Sequence, residues 1–125
     1  MNRLSAALLV IAGVIHLLPL PGALGAASLQ RLYAISLTDP ALLVLMQHRA
    51  VMFGLLGALL VAAAWRPELR LVASSAGLVS ALSFIAIAWS HGNPSPAITR
   101  IVLADVAAVA CLVGVMLIEL AQRRA

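Results

Sequence analysis

Two charged side chains stand inside apolar runs where lipid-facing chemistry would not tolerate them alone. Arg49 lies in LMQHRAVMFGLLG from Leu45 to Gly57, and Asp105 lies in IVLADVAAVAC from Ile101 to Cys111. Each follows a proline by nine residues, Pro40 and Pro96 respectively. If both runs are helices starting at those prolines, the two side chains originate at one depth, roughly 13 Å along at about 1.5 Å per residue. A charge near the middle of a bilayer costs several kcal/mol unless it is paired or reaches water, so an Arg49 to Asp105 bridge is expected. The planar guanidinium fork fits a carboxylate bidentately. His48 adjoins Arg49, with Gln47 on the next face, and His16, His91 and Arg100 fall in the same half of the molecule. In that arrangement Arg49 supplies charge to a polar site, Asp105 orients it, and His48 gives or takes a hydrogen bond. His16, Tyr33 and Arg100 lie at its mouth. The other half of the molecule is expected to hold nothing comparable.

Simpler roles exist for each of these residues. The Arg49–Asp105 pair can fix helix register and nothing more. His16 and His91 can be interfacial groups meeting water, and Met46, Met52 and Phe53 ordinary helix contacts. Bis-histidine haem ligation needs two histidines at equal depth, yet His48 counts well below His16 and His91. The same mismatch argues against tetrahedral zinc, so no metal or cofactor is expected. The single Cys111 sits in an apolar stretch and excludes an internal disulfide.

The elements that must position these groups follow from composition. The 125 residues are 64% hydrophobic and 10% charged, a balance that requires a membrane as solvent. All eight basic residues are arginine, and none forms a run of the kind that tracks phosphates, so nucleic acid is not an expected partner. Neither HExxH, GxSxG nor a phosphate-cradling glycine motif occurs. Four stretches reach or approach the roughly 20 apolar residues that a helical span needs: about 4–18, 40–65, 68–90 and 96–121. The first is short and ends at Pro19-Leu20-Pro21-Gly22. Asp39-Pro40 and Ser95-Pro96 are cap-plus-proline starts, and Pro67 suits the first position of the third helix. Residues 23–37 read as a short interfacial helix or an ordered cap, with Leu29, Leu32 and Tyr33 at helical spacing.

The fold class is therefore all-α, one domain over residues 1–125, an integral membrane four-helix bundle. Arg3, Arg66, Arg70, Arg123 and Arg124 flank one side, which the positive-inside rule makes cytoplasmic, together with both termini. A competing reading takes Arg3, the Leu4 to Leu18 core and Gly25-Ala26-Ala27 as a cleavable signal peptide, leaving three spans. Small residues at helical spacing, Ala50, Gly54, Ala58 and Ala62 in the second span and Ala104, Ala108 and Cys111 in the fourth, predict close helix approach.

His16-Leu17-Leu18-Pro19, Leu32-Tyr33, the Leu45 to Gly57 run, Ser83-Phe84, Gly92-Asn93 and the Arg100 to Asp105 spacing resemble a family of small bacterial four-helix membrane proteins. That family often carries the label phosphopantetheine adenylyltransferase, and it is similar to the wider DoxX-like and sterol-isomerase-like four-span bundles. Gln47 and Ala34 stand where the family usually has Arg and Gly. The resemblance implies a multi-pass protein of the bacterial inner membrane. It does not imply adenylyl transfer, because the soluble enzyme's His-x-Gly-His motif is represented only by His91-Gly92.

The leading expectation is a binding module whose site takes the polar or anionic head of a small amphiphile, lipid or quinone. The alternatives are an accessory subunit, in contact with a second copy or a partner membrane protein, and an enzyme acting on an isoprenoid or lipid with His48 as acid or base.

Overall fold

Helix starts are set by side chains that accept the first free amides. Asn2 Oδ1 accepts from the N–H groups of Leu4 and Ser5 at 2.9 and 3.2 Å, Asp39 Oδ1 from Ala41 at 2.9 Å, and Ser95 Oγ from Ile98 at 3.2 Å. Pro40 and Pro96 follow the last two caps, where a missing N–H costs nothing. In the computed structural model, which describes residues 2–125, these starts lead α1 (Arg3–Leu17), α3 (Pro40–Trp65) and α5 (Pro96–Arg124). Between them lie the short α2 (Ala26–Tyr33) and α4 (Arg70–Ser90). α1 stops at Leu17, just ahead of the Pro19-Leu20-Pro21-Gly22 break expected to end it; a 3-10 turn follows at Leu20–Leu24, and Pro67 opens another, Pro67–Leu69, ahead of α4. The rods Arg3–Leu24, Pro40–Trp65, Pro67–Ser90 and Pro96–Arg124 are each long and apolar enough to cross a membrane.

Burial is reversed in residue size. Only 22% to 28% of each span is buried, so bilayer rather than water must meet the rest. Leu55, Val72, Val79, Leu103 and Leu117 are exposed, whereas Ala12, Ala50, Ala63, Ala64, Ala73 and Ala108 form much of the interior. Trp65 and Trp89 are exposed near opposite ends of the α3–α4 hairpin, the positions where indole rings sit at the two lipid–water boundaries.

Small residues let backbones touch. A Cβ on Gly57 of α3 would lie 2.8 Å from the Gly13 carbonyl of α1 and 2.7 Å from Leu17 Cγ, and one on Gly13 would lie 2.6 Å from Val61 Cγ2. The packed face of α3 carries Ala50, Gly54, Gly57 and Ala64; Ala58 and Ala62, expected on it, are exposed because they lie off this face. α1 packs between α3 and α5, α4 packs chiefly on α5, and contact between α3 and α4 is sparse.

Arg70 overturns the expectation that the end of the bundle away from α2 carries no buried charge. It is 1% exposed, and its Nη1 donates to Glu119 Oε1 of α5 at 2.9 Å. Its Nε and Nη2 donate to the carbonyls of Ala63 and Ala64 at 3.2 and 2.8 Å in the last turn of α3, where Ala63 also accepts from the Arg66 N–H at 3.3 Å. One guanidinium thus joins α3, α4 and α5. Arg70, read from sequence as a flanking charge, is part of the core.

Candidate functional site

The other end of the bundle is built differently. The turn Leu20–Leu24 packs along α3, with Leu20 filling the space that a side chain on Gly54 would need and Gly22 close to Ala50. Gln47 Nε2 donates to the Ala23 carbonyl at 3.0 Å and pins this turn to α3. Gly25, at φ 134°, then reverses the chain into α2 in a conformation that L side chains rarely adopt. This brings Leu29 and Tyr33 into the interior, so of the two readings its sequence offered the segment takes the ordered cap. α2 ends at Ala34 in the left-handed region, φ 55° and ψ 38°, a conformation that favours glycine.

Beneath the cap lies a cavity of about 210 Å³. Ile15, Leu18, Leu32, Phe53 and Ile101 supply much of its wall, and His16, Tyr33, Arg49, Arg100 and Asp105 supply its polar groups. Five of the six residues singled out by sequence therefore border one space. The sixth, His48, is exposed and does not border it. His48, about 100° around α3 from Arg49, turns outward instead.

The expected Arg49–Asp105 bridge is not formed. Arg49, half-buried on α3, donates from Nη1 to Tyr33 Oη of α2 at 2.8 Å. Its guanidinium carbon lies 4.7 Å from the Phe53 ring centroid, 5.4 Å from that of Phe84 on α4, and 5.5 Å from that of Tyr33. Three aromatic faces surround the cation, each an electrostatic attraction that strengthens as water is removed. Asp105 is 6% exposed on α5, and no ion pair or hydrogen bond holds its carboxylate among the described residues. A guanidinium and a carboxylate thus border one cavity without meeting.

His16 is 2% exposed, deeper than the interfacial position expected for it, because the cap folds over the end of α1. Its Nδ1 lies 2.9 Å from the Ala12 carbonyl, which can only accept, so Nδ1 carries a proton. In the neutral ring Nε2 is then a bare acceptor, and it finds no partner in the protein. Arg100 is exposed at the cavity edge. Among the described residues no group of three His, Cys, Asp or Glu is placed to hold a metal ion.

Phe53 and Phe84 were not expected at the site. Their spacing from other residues carried no signal, although an arginine in an apolar run needs either an acid or aromatic faces, and Phe53 stands one turn along from Arg49. Fold and cavity together define a helical bundle with four candidate membrane spans and a capped, mixed-charge pocket at one end. No protein-family model matches the chain, and neither does any curated protein or solved structure.

Proposed function

We propose that the protein is a binding module of the bacterial inner membrane, both termini cytoplasmic, whose capped pocket opens toward the periplasmic side and takes the polar head of a small membrane amphiphile. The observation that carries this reading is the division of labour between two buried charge sites. Arg70 and Glu119 meet each other and tie three helices. Arg49 and Asp105 do not meet: Arg49 ties α3 to Tyr33 of α2 and Phe84 of α4, but among the described residues no bond between helices accounts for Asp105 or for the donors that Arg49 keeps unused.

The head that suits this pocket both accepts and donates hydrogen bonds. Arg49 keeps donors beyond the one used on Tyr33, and they serve an anionic or carbonyl oxygen. Asp105 and His16 Nε2, when unprotonated, are acceptors and serve hydroxyl or N–H groups. A lipid headgroup or a quinol ring meets both needs, and the apolar wall and limited volume suit a head rather than a whole lipid. The resemblance to small bacterial four-span proteins supports the location.

Joint replacement of Arg49 and Asp105 by methionine and leucine tests the reading. Folding is retained, at a loss of about 1–3 kcal/mol for the Tyr33 hydroxyl left without its donor, while an amphiphile detected on the wild type by native mass spectrometry from membranes is lost. An unliganded wild type that comes out of the membrane bound to a partner chain would favour the accessory reading instead.

A further inference from the structure

A second space opens beside the first, between α3 and α4 where these helices touch least. It has a volume of about 400 Å³ and is lined by Met52, Leu56, Leu59 and Ser80 among others. Arg49 and Phe53 border both spaces. From Met52 to Leu59 the lining follows α3 for about 10 Å, along a face that continues to exposed Met52 and Leu55. A gap between two membrane-spanning helices that opens on their apolar outer surface can be filled only by hydrocarbon or by protein. Arg49 and Phe53, shared with the polar pocket, set the two spaces side by side, which favours hydrocarbon attached to a polar head.

We infer that this groove takes a single hydrocarbon chain of the same amphiphile whose head occupies the capped pocket, and that the ligand enters sideways from the bilayer between α3 and α4. This rests on the pocket reading above. Phe53 stands where head and chain join, and Arg49 is the first polar group that an incoming head meets. The groove is shorter than a leaflet of about 15 Å, so the far end of the chain stays in lipid. Two-chain lipids must leave their second chain outside, which makes single-chain amphiphiles the preferred class.

The test uses the full chain in phosphatidylcholine nanodiscs with a monoacylglycerol carrying a diazirine at mid-chain. Its glycerol hydroxyls both donate and accept, as the pocket requires. Adducts mapped by mass spectrometry report the chain, and the ¹⁵N signal of His16 Nε2 reports the pocket. Adducts are expected to concentrate on residues 52–59 and Ser80, and Ser80→Trp, which fills the groove, should lower them and weaken the His16 response by about tenfold. Met52→Trp, on an exposed position of the same groove, should do the same and guards against a folding defect in the first variant. Adducts spread over the outer faces of α4 and α5, or a His16 response that ignores both tryptophans, overturn the groove while leaving the pocket standing. No His16 response in the wild type overturns both.

Discussion

The Arg49 guanidinium carries five N–H donors, of which Tyr33 Oη receives one, and three rings border the cation. Tyr33→Phe keeps the ring and removes the acceptor, so thermal unfolding should show a loss of about 1–3 kcal/mol, and a loss near zero would mean that water replaces the hydroxyl. Arg70→Met leaves Glu119 buried and removes a donor from two carbonyls. It should cost about 3–5 kcal/mol in the same measurement, far more than Arg49→Met, and equal costs would remove the distinction between the two charge sites. Arg49, Asp105 and the mouth residues were legible because polar groups in apolar runs must be accommodated somewhere. The bonding was not, because depth along a helix says nothing of rotation about it. Arg70 looked like a boundary charge three residues after Pro67, yet Glu119, set between Ile118 and Leu120, was an acid in need of a partner.

Among elements, the α1–α3 contact has the least room. Gly57→Ala sets a methyl group against the Gly13 carbonyl and Leu17, and should destabilise by about 1–3 kcal/mol, whereas Gly114→Ala meets only the flexible tip of Leu8 at 3.2 Å and should be nearly neutral. Comparing the two melting curves checks the close approach. The end of α2 offers the opposite change. Ala34 is held at positive φ, so Ala34→Gly should stabilise by about 1 kcal/mol, and a loss would mean that the left-handed cap is not populated. Hydropathy and cap-plus-proline signals located α3 and α5 from the sequence, since lipid imposes length and proline imposes the start. For α2 the sequence allowed an interfacial helix or a cap and could not choose between them, because the backbone conformation at Gly25 and the fit of Leu20 over Gly54 leave no periodic trace.

At the scale of the whole molecule, arginine placement predicts which way the bundle is oriented. With Cys111 replaced by alanine, Thr38→Cys should react with a membrane-impermeant maleimide on intact cells, and Arg124→Cys only after permeabilisation. The reverse pattern would invert the topology. The two ends also differ in how they are fastened. Arg70 joins α3, α4 and α5 through three short hydrogen bonds, whereas α3 and α4 touch little along the groove. Fluctuation is easiest where ties are fewest, so amide exchange should be slower over residues 63–70 than over residues 45–49. On the proposed binding role the bundle would resemble a clothes-peg with its spring at Arg70: the jaws would part around a guest, and the clasped end would keep the helices in register while they do.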